Sequence, residues 1–219
     1  MQTIVEDSIK AIAPNYAVRV VTSKVRNSET SAELWAEIQL AAENIQHTYN
    51  TSTIKEQKGI QATRQAYKAA GKDPSRYRPS CEQLCRRILQ GKGLYSIDSL
   101  VDIGNLLSIT FGLSVAVLDK SRLQGGEISL GIGKETEPYE AIGRGQLNIS
   151  DMPVWRDNLG AFATPTSDSV RTMCSETTTE ILIIINSFDG DGKALDDASA
   201  YLHELLDKYA HCSEFKIEI

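Results

Sequence analysis

SLVDIGNLLSITFGLSVAVLDKSRLQGGEISL, residues 99–130, changes its period at Gly112. Before that glycine, Leu100, Val101, Ile103, Leu106 and Leu107 recur three and four residues apart, and Asp98 or Ser99 stands where a cap belongs; this is an amphipathic helix. After it, residues 114–119 and 127–132 are short, β-branched runs separated by Gly125-Gly126, the pattern of two strands joined by a turn. A helix followed by short strands sets the expectation for the whole chain.

Working outward, the N-terminal side is mostly helical. Tyr16 to Val25 reads as a strand after an early amphipathic stretch. Ser31 opens a helix over Ala32–Tyr49, with Leu34, Trp35, Ile38, Ala41, Ala42 and Ile45 at helical spacing. A second helix is expected from Ile54 to Ala70, stopping at Gly71. Ser80 and Gln83 suggest a capping box for a third, which ends at Gly91. On the C-terminal side, further short strands are expected at 146–149, 153–156 and 159–163. Glu180–Ser187 is a strong strand, Leu195 to Tyr209 carries a helical stripe, and Glu214–Ile219 alternates like an edge strand. Helices followed by many short strands predict an α+β fold, with packed, largely antiparallel sheets flanked by helices. No repeat or linker divides the 219 residues, so 1–219 reads as a single domain.

Composition excludes several classes. Hydrophobic residues are 41% and charged residues 24%, as in an ordinary globular protein. The longest apolar run, Ile181–Ile185, is a buried strand and not a membrane span. The N-terminus lacks the basic and apolar regions of an export signal, and the four cysteines form no disulfide pattern, so a cytoplasmic protein is expected. A net charge of −6 argues against a general nucleic-acid coat. Between Arg64 and Lys92, however, eight cationic residues face two acidic ones, and several cations along one surface favour phosphates by counterion release. A solvated helix face with a basic loop has the same composition.

Three segments carry a resemblance: SLVDIGNLL (99–107), AVLDKSRLQGG (116–126) and SETTTEILII (175–184). With RPSCEQLCRRIL (78–89) and DSVRT (168–172), they make residues 76–188 resemble the B3/B4 editing domain of the phenylalanyl-tRNA synthetase β subunit, in a free-standing form. Residues 1–75 would then be an N-terminal helical extension, and 189–219 a C-terminal helix and edge strand. The resemblance implies a pocket that receives the 3′ end of tRNA and hydrolyses a wrongly attached amino acid, with water as nucleophile and no cofactor. Asn105 matches the family's pocket asparagine, and Gly104 stands where a threonine is usual. The family's pocket histidine falls on Ala116, and its tyrosine-reading glutamate on Ile184. Tyrosine specificity is therefore not expected, because a buried phenolic hydroxyl without a partner costs roughly 1–3 kcal/mol.

An aminoacyl ester is already activated, so its hydrolase needs positioning and oxyanion stabilisation. Asn105 is the candidate catalytic donor. Asp168, Ser169, Arg171 and Thr172 form a polar cluster expected at the substrate, with Gly104, Ala116 and Ile184. Arg76, Arg78, Arg86, Arg87 and Lys92 are the candidate RNA contacts. No residue is an evident general base, so a non-catalytic RNA or small-ligand module with the same fold stands as the alternative. Asp102 and Asp119 read as helix-end and turn residues. Other motifs are weaker. His47, His203 and His211 are dispersed on helices, and Cys81 with Cys85 lacks the second pair of a zinc site. Asp189-Gly-Asp191-Gly192 lacks the other ligands of a calcium loop, and Gly131-Ile-Gly133 lacks a third glycine. No metal site is predicted.

Overall fold

The computed structural model describes residues 1–218. In chain order the elements are β1 (Gln2–Val5), α1 (Asp7–Ile12), β2 (Ala17–Lys24), α2 (Ala32–Thr48), α3 (Lys58–Ala69), α4 (Ser80–Leu89), α5 (Ser99–Phe111), β3 (Ser114–Asp119), β4 (Glu127–Ile132), β5 (Glu140–Ala141), β6 (Gly145–Gln146), β7 (Pro153–Asp157), β8 (Gly160–Ala163), β9 (Glu180–Ser187), α6 (Gly192–Ala210) and β10 (Ser213–Ile217). Ile219, the last position of the expected edge strand, lies outside the described residues.

The strands form two four-stranded sheets, ordered β10-β2-β9-β3 and β1-β4-β7-β8, and a small β5-β6 hairpin. All pairings are antiparallel except β1 with β4. β9 explains the layering. Its apolar run is buried on both faces. Ile181, Ile183 and Ile185 pack towards the helices, among Leu34, Ile38, Leu106 and Leu202. Leu182 and Ile184 pack the other way, against Trp155, Phe162, Ile128 and Leu130 of the second sheet. The protein is thus α+β, with two sheets face to face and helices covering one of them.

The caps follow the sequence in part. Asp98 Oδ1 accepts from the Val101 amide at 2.9 Å and starts α5, and Gly112 ends it at φ 68°. The capping box at α4 does not form. Pro79 occupies the cap position, and Gln83 turns outward to donate to the Arg78 carbonyl at 2.7 Å. The helix expected over 54–70 breaks at Gln57, which is extended (φ −57°, ψ 131°) between a short 3-10 turn and α3. The strand expected at 146–149 contracts to β6. β1, which sequence patterning missed, pairs with β4. Residues 1–75, expected as a helical extension, also supply both β1 and β2, and β2 is inserted between β9 and β10. No helix among the described residues is long and apolar enough to cross a membrane.

Candidate functional site

A cavity of about 600 Å³ opens where α4, the 90–98 connection, α5, β3, the β5–β6 turn and the loop after β8 converge. α4 contributes Ser80, Gln83, Leu84 and Arg87, and the connection contributes Leu94, Tyr95 and Ile97. Asn105 and Val115 come from α5 and β3; Arg144 comes from the hairpin turn; Thr164, Thr166, Ser167 and Asp168 come from the loop.

The loop is held rigidly. Thr164 Oγ1 accepts the amides of Thr166 and Ser167 at 3.2 and 3.1 Å, while the Tyr139 hydroxyl donates to the Ser167 carbonyl at 2.7 Å. The Ile142 amide donates to the Asp168 carbonyl at 2.9 Å, which ties the loop to the hairpin. On the α4 side, the Ser80 amide donates to the Pro165 carbonyl at 2.7 Å. Gln83 joins three elements: its Nε2 donates to Thr166 O at 3.1 Å, and its Oε1 accepts from Arg144. These bonds fix the donors and acceptors of the wall in place.

Asp168 is the one acidic side chain in the cavity wall and forms no ion pair among the described residues. Burial raises its pKa to about 7, against the opposing pull of the Val117 backbone amide. Asn105 is half-buried and projects from α5 one turn after Asp102. Asp102 itself is structural. Burial raises its carboxyl, while Thr30, the Ile97 amide, Ser96 and Asn105 pull it back. Its Oδ2 accepts from Thr30 at 2.6 Å and from Ser96 and the Ile97 amide at 3.1 Å, which clips the 90–98 connection to α5. Asp119 likewise fixes a turn, accepting from Ser121 at 2.6 Å and Thr178 at 2.8 Å.

The expected polar cluster splits. Asp168 enters the cavity, but Ser169 and Arg171 line a different hollow, of about 430 Å³. Arg171 grips Asp157 with two bonds, at 3.0 and 2.9 Å, and also donates to the Gly160 carbonyl. Burial alone would raise the Asp157 carboxyl, but Arg171 and the amides of Gln124 and Leu159 hold it below its ordinary range. Thr172 is fully buried and donates to the Phe162 carbonyl at 3.4 Å. Extended backbone beside the β5–β6 hairpin, where Ser169 bridges Ala141, turns Asp168 and Ser169 to opposite sides, and a 3-10 turn over Val170–Thr172 redirects Arg171 and Thr172.

Gly104, Ala116 and Ile184 are also corrected. A Cβ at Gly104 would collide with the Val117 side chain, so this glycine allows close helix–strand packing and does not reach the cavity. Ala116 and Ile184 are cross-strand partners on β3 and β9. Both face the sealed core between the two sheets, 4% and 0% exposed, and neither lines the cavity.

The cationic stretch is partly structural. Glu82 is fully buried and accepts from Arg64 at 2.8 Å and from Arg86 at 2.7 Å. Lys72 Nζ is buried under the carbonyls of Asn148 and Ser150, and burial lowers its pKa. Arg76 leans over the Tyr77 ring. Arg78, Arg86, Arg87 and Lys92 nevertheless line one depression with Gln83 and Gln90. Gln83 and Arg87 belong to both that depression and the cavity. Sequence reasoning missed Tyr95, Arg144 and the Thr164–Ser167 loop; the flanking glycines of GKGLY and GRG were the available signal. No group of three or more His, Cys, Asp or Glu among the described residues is arranged to hold a metal.

The family model described as B3/4 domain matches residues 62–209. The structure is similar to an N-terminal fragment of the phenylalanyl-tRNA synthetase β subunit from Pyrococcus horikoshii, with a TM-score of 0.50 at 11% identity. That likeness covers 99% of this chain and 50% of the fragment, so the chain spans half the length of its structural neighbour. No curated protein matches the sequence significantly.

Proposed function

Because this chain belongs to the B3/4 domain family, we propose that it binds tRNA, and that the cavity seats the aminoacylated 3′ end and hydrolyses the ester of a wrongly attached amino acid. The observation that carries this reading is one cavity holding both the Asn105 amide and the Asp168 carboxyl, continuous through Arg87 and Gln83 with a cationic depression. In the proposed reaction the Asp168 carboxylate accepts a proton from water as the water oxygen bonds to the ester carbonyl carbon. Asn105 Nδ2–H donates to the oxyanion that forms. Collapse breaks the carbon–oxygen bond to the ribose, and Asp168 returns the proton to the departing ribose oxygen. A carboxyl with a pKa of about 7 suits both transfers at neutral pH. The single domain of 219 residues would act in trans on charged tRNA in the cytoplasm.

The test is release of free amino acid from a panel of mischarged tRNAs. Turnover is expected for at least one of them, with loss in Asn105→Ala and Asp168→Asn and unchanged tRNA retention. A panel left intact at high protein concentration overturns the hydrolase. Salt-sensitive tRNA binding without turnover would instead establish the non-catalytic module. That second reading is favoured by a cavity wall with no cysteine or histidine and a single carboxylate.

A further inference from the structure

Tyr95 is 67% exposed at the mouth of the cavity, with one face of its ring open to solvent or ligand. The Arg87 guanidinium carbon lies 3.9 Å from the centre of its ring. Arg87 Nε is buried and has no hydrogen-bond partner among the described residues, so stacking and not ion pairing sets the guanidinium in place. The residues that follow Tyr95 are anchored, because Asp102 holds the Ser96 hydroxyl and the Ile97 amide. An aromatic ring with an arginine on it, standing between a cationic depression and a cavity, is the arrangement that single-stranded nucleic acids use: phosphates meet the cations and a base meets the ring.

We infer that Tyr95 is the stacking seat for the unpaired 3′-terminal nucleobase of the RNA substrate, placed so that the adjoining ribose ester reaches Asn105 and Asp168. The strand would pass its last phosphates along Arg78, Arg87 and Lys92. This inference rests on the proposed tRNA-binding function and adds a base-reading residue to it. A ring offered to a base discriminates between a terminal nucleotide and an abasic sugar–phosphate, whereas the cations do not.

The experiment uses the full chain and a short single-stranded RNA with 2-aminopurine as its 3′-terminal base, beside the same oligonucleotide with an abasic 3′ end. Wild type is expected to quench the 2-aminopurine on binding and to bind the abasic oligonucleotide 5- to 100-fold more weakly. Tyr95→Ala should lose the quenching and bind both alike, while Tyr95→Phe should retain the discrimination. Tyr95 is exposed, so these variants are expected to fold, and circular dichroism checks that they do. If wild type binds the RNA without quenching, or if Tyr95→Ala still discriminates, the stacking seat is wrong while the RNA-binding function stands. If neither tRNA nor the oligonucleotides bind at low salt, both fall.

Discussion

Replacing Asp168 by asparagine should make the protein more stable, and by an amount that depends on pH. The carboxyl binds its proton more tightly in the folded chain, with a pKa raised from 3.8 to about 7 by burial. Between those values the folded state holds more protons than the unfolded one, so this group's contribution falls as pH rises through that window. A shift of about three units corresponds to about 4 kcal/mol at most, and the partial exposure of Asp168 brings this to roughly 2 kcal/mol. Asparagine keeps an oxygen for the Val117 amide and removes the charge. At pH 8, Asp168→Asn should therefore melt about 4–8 °C above wild type, and at pH 4 the two should nearly coincide. Thermal melts followed by circular dichroism across that range measure the gap. A gap independent of pH, or an asparagine variant less stable at pH 8, would refute the picture of an unpaired carboxyl held in a partly dry cavity.

Other expectations concern the framework around the site. Glu82→Ala strands Arg64 and Arg86 beside a lost carboxylate, and should cost about 3–5 kcal/mol in urea denaturation. Gly104→Val forces α5 away from Val117 and should destabilise by about 1–3 kcal/mol, a loss that Val117→Ala partly restores. Asn186→Ala removes the acceptor of the Tyr16 hydroxyl (2.7 Å) and the Trp155 indole (3.1 Å), and the donor to the Ser114 carbonyl, for roughly 2–4 kcal/mol by the same denaturation. Lys92→Ala should lower the salt slope of tRNA binding by about 1, read from filter binding at several salt concentrations.

Much of the fold was legible in residue spacing because most of its elements are locally encoded. The Asp98 cap, the Gly112 stop and the two-faced isoleucine run of β9 each carry their own signal. β1 carried none: it is four residues long, and its partner β4 lies far along the chain. The break at Gln57 was hidden because residues 54–70 keep an apolar rhythm through it. At the site, Asn105 was found by resemblance, whereas Asp168 was found only as part of a polar cluster. The raised pKa that makes it the proposed base was invisible, since it comes from walls contributed by distant segments. Ser169, Arg171 and Thr172 were grouped with it because sequence proximity reveals neither the side that extended backbone gives Ser169 nor the 3-10 turn over Val170–Thr172. Ala116 and Ile184 were placed at the pocket by resemblance alone, and neither their cross-strand pairing nor the sealing of that pair between the sheets could be read from spacing.

The insertion of β2 between β9 and β10 has a practical consequence for anyone who dissects this protein. A fragment cut to residues 62–209 would lack β1, β2 and β10. One long edge of the isoleucine-rich strand would then stand bare, an invitation to intermolecular pairing. For the same reason a nascent chain must hold β2 unpaired until β9, far along the chain, has been synthesised, so closure of the central sheet is a late, long-range step.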